Sequence, residues 1–120
     1  MMHPDLPHAG LREFVLWTLR QRRRVRITGE SMEPTLHAGE VIFVDVRAYL
    51  SASPAPGDVV VARHPQQPSI EIVKRIEFTD GGVYLRSDNV DATNAADSRR
   101  FGLVPLDHVV GRVSSKIAQR

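Results

Sequence analysis

The spacing of apolar residues changes period once along the chain. Leu11, Phe14, Val15, Trp17 and Leu19 fall near i, i+3, i+4 spacing, which predicts one helix over Leu11 to Arg24. From Val25 onward the apolar positions alternate or run together, and the chain reads as strands. Val25-Arg26-Ile27-Thr28 alternates, Val41 to Val46 and Asp58 to Arg63 are near-continuous, and Ile70 to Phe78 alternates again. Asp80-Gly81-Gly82 predicts a hairpin turn into Val83-Tyr84-Leu85. Leu103-Val104 and His108-Val109-Val110 supply the last short strands. Between these elements, His37-Ala38-Gly39 and His64 to Pro68 are turns. Tyr49 to Gly57, broken by Pro54 and Pro56, is a surface loop, and Ser87 to Arg100 is polar and irregular. The expectation is a mostly β, compact antiparallel fold with one N-terminal helix. An arm and helix occupy residues 1–24 and a single β domain residues 25–120, with Met1 to Gly10 as a loose arm.

Two residues stand out against this pattern. Counting by two along the fourth strand puts Ile70, Ile72, Lys74 and Ile76 on one face and Glu71, Val73, Arg75 and Glu77 on the other. A lone lysine therefore stands in an isoleucine stripe, while the charges that want water point the opposite way. The chain has 14 arginines and only two lysines, Lys74 and Lys116. Burial lowers a lysine pKa, and a neutral amine accepts a proton, whereas arginine stays charged. The plain alternative is that Lys74 snorkels at a strand edge with its head in water. The second residue is Ser31, in Gly29-Glu30-Ser31-Met32-Glu33-Pro34-Thr35-Leu36, on a corner between two strands. That corner holds a side chain out as a nucleophile needs. The alternative is a serine capping a short helical turn begun by Glu33 and Pro34. Together, Ser31 and Lys74 form a pair of nucleophile and lysine base.

Composition narrows the classes. The 120 residues suit one domain, and a hydrophobic content of 42% excludes disorder. No apolar run approaches the roughly 20 residues of a membrane span, and no export signal is read at the start. With no cysteine there is no thiolate nucleophile, thiolate zinc site or disulfide. A cytoplasmic address fits these features. Net charge is only +2, yet Arg20, Arg22, Arg23, Arg24 and Arg26 lie together. They read either as a solvated face at a helix C-terminus or as a patch for anionic lipid or nucleic acid. His3 and His8 on the arm make a weak metal site. A G-x-S-x-G elbow would need glycine at position 33, where the chain has Glu33. His37, His64 and His108 lack diagnostic triad spacing. Asp88, Asp91 and Asn94 lack the alternate spacing of a calcium loop.

Three blocks in order then carry a resemblance. Ser31-Met32-Glu33-Pro34-Thr35-Leu36 resembles the nucleophile block of the signal-peptidase type of Ser–Lys serine proteases. Gly57-Asp58-Val59-Val60-Val61 with Val73-Lys74-Arg75-Ile76 resembles the block that carries the general base. Ser87-Asp88-Asn89, Asp97 to Pro105, and Gly111-Arg112 resemble the closing block. The resemblance spans residues 27 to 112 and implies the signal-peptidase/LexA-like β fold. The short form, without membrane anchors or a large inserted domain, is similar to the nickel-type superoxide dismutase maturation proteases. That implies removal of an N-terminal propeptide from a precursor so that the new N-terminus can bind nickel. LexA-type self-cleaving repressors share the chemistry, but Asp97-Ser98-Arg99 and the lack of a DNA-binding domain argue against them.

The resemblance implies peptide-bond hydrolysis through an acyl-enzyme. Ser31 attacks, neutral Lys74 is the base, and no metal or other cofactor takes part. Met32 lines the cleft, and Asp97 with Arg99 forms a structural ion pair behind the site. Relatives place a serine two residues before the nucleophile, where this chain has Gly29, so the oxyanion leans on the backbone N–H of Ser31. Relatives also place a serine near position 95 to orient the lysine, where this chain has Ala95. Two rivals stay open: a membrane-associated signal peptidase with residues 11–19 as a peripheral anchor, and a non-enzymatic basic binding module.

Overall fold

Seven strands form one sheet in the computed structural model, which describes residues 5–92 and 96–117. After helix α1 (Leu11–Thr18) come β1 (Arg22–Arg26), β2 (Val41–Asp45), β3 (Val59–Arg63), β4 (Glu71–Thr79) and β5 (Gly82–Arg86). The short helix α2 (Ser98–Phe101), β6 (Val104–Pro105) and β7 (Val109–Lys116) complete the chain. The spatial order is β1-β2-β7-β3-β4-β5-β6, and every pairing is antiparallel. The mostly β fold with one main helix agrees with the sequence pattern.

The sheet curls on itself, so both of its faces are covered. Strand β3 shows this directly. Val59 and Val61 join one core cluster with Ile27, Met32, Leu36, Ile42, Val44 and Val113. Val60 and Ala62 join another with Ile76, Val83, Leu85 and Val104. A strand buried on both faces reads as an unbroken apolar run.

The largest departure from expectation is β7. The expected Leu103-Val104 strand is β6, but the short strand expected at His108 to Val110 is eight residues long as β7 and lies in mid-sheet between β2 and β3. Arg112, Ser114, Ser115 and Lys116 mask its pattern. Gly111 is required where β7 passes β2, because a Cβ there would sit 2.5 Å from the Asp45 carbonyl oxygen.

The predicted helix is also shorter. It stops at Thr18, Arg20 takes a left-handed backbone (φ 62°), and Arg22 to Arg26 pair with Asp45 to Val41. Arginine favours helix intrinsically, but ladder pairing and ion pairs win here. Arg22 meets Glu13 at 2.8 Å and Asp45 at 3.3 Å, and Arg23 meets Glu71 at 2.5 Å. The arginine run therefore lies on a strand rather than a helix end, with Arg22 and Arg23 ion-paired and Arg24 and Arg26 exposed.

Helix α1 docks on the body. Phe14 and Trp17 pack against buried Phe43, with ring centroids 5.1 and 5.9 Å apart. Glu13 accepts hydrogen bonds from Ser114, Ser115 and Arg22. Leu11, Val15 and Leu19 stay exposed. The arm is tied down from Asp5 on: Lys116 N–H donates to the Pro7 carbonyl at 2.9 Å, and Ala9 N–H to that of Lys116 at 2.8 Å. Among the described residues, no helix is long and apolar enough to cross a membrane.

Gly111→Ala should destabilise the protein by about 1 to 3 kcal/mol, read by urea unfolding, because the new methyl would collide with the Asp45 backbone and the packed Val44 side chain.

Candidate active site

Ser31 reaches its place through a short, pinned loop. Gly39 N–H donates to the Ile27 carbonyl at 2.8 Å and Ile27 N–H to that of Glu40 at 2.7 Å, which closes the base of the loop. Gly29 has φ +77°, a left-handed turn that a residue with a Cβ disfavours. Beyond Ser31, Leu36 N–H donates to the Met32 carbonyl at 2.9 Å. Met32 and Leu36 sink into the core as two anchors, leaving Ser31 half-buried at the rim. The corner is an irregular turn rather than a helix capped by serine.

Lys74 lies on β4, directly opposite Val60 of β3. It is only 5% exposed, so the buried reading holds and the snorkelling one does not. Its Nζ is 2.7 Å from Ser31 Oγ. Burial pushes the Lys74 amine below its ordinary pKa; the Asp97 carboxylate opposes this and Arg99 adds to it. A neutral amine at that distance can take the serine proton.

The neighbour of Lys74 departs from expectation. Arg75 does not point to water. It is 4% exposed and forms a two-pronged ion pair with Asp88, Nε to Oδ1 at 2.9 Å and a second nitrogen to Oδ2 at 2.8 Å. Thr35 Oγ1 donates to the same Asp88 oxygen at 2.6 Å, and Arg75 also donates to the Gly57 carbonyl at 2.7 Å. Asn89 adds a latch: its N–H donates to the Ser31 carbonyl and its Nδ2 to the Glu30 carbonyl, each at 2.9 Å. The loop is thus held from both sides. Sequence reasoning missed Thr35, Arg75, Asp88 and Asn89 as site residues, although all four lie in the three resembling blocks.

Asp97 and Arg99 pair at 2.9 Å, with Asp97 fully buried. Burial pushes the Asp97 carboxyl up, but Arg99 and the N–H groups of Ser87 and Arg99 outweigh it and hold the pKa at about 2. Met32, Ser31 and Lys74 line one cleft of about 190 Å³, walled by the end of β1 and the start of β4. His37 sits beside Glu40, His64 caps the backbone of Gln66 and Gln67, and His108 contacts the Arg63 carbonyl. His8 lies in a bridge with Lys116; His3 and Ala95 lie outside the described residues.

A serine hydroxyl lies against a buried lysine amine at the mouth of a cleft in a curled sheet, an arrangement suited to a serine nucleophile with a lysine base. The chain belongs to the family described as signal peptidase, peptidase S26, which matches residues 14–77. The mitochondrial inner membrane protease subunit 1 of Xenopus tropicalis is 31% identical over 111 residues, covering 75% of this chain and 65% of that protein. The human protein of the same name is 28% identical over 114 residues, covering 78% and 68%. Signal peptidase I of Mycobacterium tuberculosis is 40% identical over 87 residues, covering 68% of this chain and 26% of the relative. The chain therefore spans about two thirds of the mitochondrial relatives and about a quarter of the bacterial one.

Asp88→Ala should cost about 3 to 5 kcal/mol in urea unfolding, because it leaves the Arg75 charge buried without its carboxylate. Replacing both partners by apolar residues, Arg75→Met with Asp88→Leu, should recover much of that loss.

Proposed function

We propose that this protein is a working Ser–Lys endopeptidase that removes an N-terminal segment from a precursor protein. The observation that carries this reading is the 2.7 Å approach of the buried Lys74 amine to the Ser31 hydroxyl. Ser31 Oγ attacks the scissile carbonyl carbon while its proton passes to the Nζ lone pair of Lys74. The tetrahedral oxyanion takes the Ser31 N–H, which has no hydrogen-bond partner among the described residues. The C–N bond then breaks, the leaving amine takes the proton back from Lys74, and an ester to Ser31 remains. Water attacks that ester, gives a proton to Lys74, and Ser31 Oγ leaves with it.

The cleft suits an extended polypeptide. Strand β1 ends the sheet, so one of its edges is unpaired within the sheet. The β4–β5 ladder begins only at Arg75, which leaves Glu71 to Lys74 without a β5 partner. A substrate strand can hydrogen-bond to such edges.

For the substrate we favour the nickel-type superoxide dismutase precursor, in the cytoplasm, on the resemblance of the three sequence blocks to its maturation proteases. The second reading is a signal-peptide substrate at a membrane. The names of the relatives favour it, and so does the exposure of Leu11, Val15 and Leu19 on α1. The basic binding module is weakened because Arg22 and Arg23 are already paired with carboxylates.

Mixing the purified protein with the dismutase precursor should give one truncated product by intact mass, absent with Ser31→Ala or Lys74→Arg. Cleavage by either variant would overturn the dyad. If only lipid-embedded signal-peptide substrates are cut, the second reading stands. Since the amine must be neutral to act, kcat/KM should rise with pH as Lys74 loses its proton. A flat profile from about pH 5 to 9 would contradict a lysine base.

A further inference from the structure

Lys74 has one hydroxyl partner in this structure, and a second hydroxyl lies unused beside it. The β4–β5 ladder pairs Ile76 with Leu85 and Arg75 with Arg86. The ladder ends at the Arg75–Arg86 pair; extended by one residue, its register brings Ser87 alongside Lys74. Directly opposed residues of an antiparallel pair share a face, with Cβ atoms about 4.5 to 5.5 Å apart. Ser87 is only 7% exposed, and its Oγ is buried without a hydrogen-bond partner among the described residues. A buried, unpaired hydroxyl is costly, so its retention calls for a reason.

The backbone of Ser87 is fixed. Its N–H donates to Asp97 Oδ2 at 3.0 Å, and Asp97 is itself gripped by Arg99. The hydroxyl is therefore free only to rotate about its own Cα–Cβ bond. Lysine has the opposite freedom, a long stem with a mobile head.

We propose that Ser87 is a positioning residue for the base, its Oγ accepting a hydrogen bond from Lys74 Nζ. The inference rests on the Ser31–Lys74 reading and deepens it. A neutral amine has one lone pair and two N–H donors. In the free enzyme the lone pair faces Ser31, and an N–H needs an acceptor to fix the head. Once Ser31 is esterified it has no proton to give, and the amine must hold a water instead. Ser87 Oγ then keeps Nζ aimed at the ester. The charged groups that act on this amine are Asp97 and Arg99, and Asp97 is itself bonded to Arg99 and to the Ser87 N–H.

The test uses the fact that the chain has only two lysines, Lys74 and Lys116. Protein labelled at lysine Cε gives two NMR titrations, with Lys116 as internal control. In the Ser31→Ala background, where the amine has lost its other partner, adding Ser87→Ala should move the Lys74 titration down by at least about half a pH unit. Ser87→Thr should restore it, and Lys116 should not move. In the enzyme with Ser31 intact, Ser87→Ala should lower kcat by about ten- to a hundredfold with KM nearly unchanged, and Ser87→Thr should recover most of it. An unchanged Lys74 titration, or full kcat in Ser87→Ala, would overturn the proposal. If the alanine protein melts below the assay temperature, Ser87→Thr and Ser87→Val are compared; equal activity and equal Lys74 titration in that isosteric pair would also overturn it. Failure of the dyad itself reads differently, as cleavage that survives Ser31→Ala.

Discussion

The buried ion pair between Arg75 and Asp88 is the contact on which the site depends. Ser31 and Lys74 lie far apart in the chain and come from a turn and a strand. Holding their reactive atoms at 2.7 Å requires both segments to be fixed to a third. Arg75 is adjacent to Lys74, Asp88 is adjacent to Asn89, and Asp88 binds Thr35 in the Ser31 turn. One carboxylate thus joins the base strand, the nucleophile turn and the loop after β5. Asn89 completes the clamp through the Glu30 and Ser31 carbonyls. Such a pair contributes little net stability over an apolar replacement, so its value lies in geometry.

The site also sets stability against function. Lys74 has its folded pKa lowered, so between that value and the ordinary lysine value the unfolded chain binds more protons than the native one. Native stability is therefore reduced there, and rises as pH rises toward the ordinary value. Asp97 has its folded pKa held at about 2, below the ordinary 3.8. Its contribution is present above the ordinary value and is lost as pH falls through about 2. Both groups favour neutral to alkaline conditions, the same direction in which the amine becomes a base.

Much of this was legible in the sequence. Strict alternation in β4 revealed Lys74 as the polar residue on a buried stripe, and its burial agrees. The same alternation failed at Arg75, because period-two reasoning sends charges to water and ignores a carboxylate thirteen residues away. The arginine run misled for a related reason: five basic residues look like a helix end until Glu13, Asp45 and Glu71 supply counter-charges to Arg22 and Arg23 from three other elements. Strand β7 was hidden because its alternate positions carry glycine, serine and arginine. Its place is fixed by close passage of Gly111 over β2, a tertiary constraint that local pattern does not encode. Ser87 was visible only as the first residue of the Ser87-Asp88-Asn89 block, with no role attached; the register and its unpaired hydroxyl single it out.

The same topology leaves an open edge beside the cleft. Curling covers both faces but leaves the β1 edge and the first half of β4 open beside Ser31 and Lys74. Unpaired edges are liabilities unless charge guards them. Here β1 is Arg-Arg-Arg-Val-Arg, and Arg23 bonds Glu71 across the cleft at 2.5 Å. Two copies of β1 would bring like charges together, which opposes edge-to-edge pairing. An extended peptide with small or apolar side chains meets no such repulsion. The arginines that looked like a binding patch in the sequence lie, in the folded protein, along the open edge of the sheet and guard it by charge.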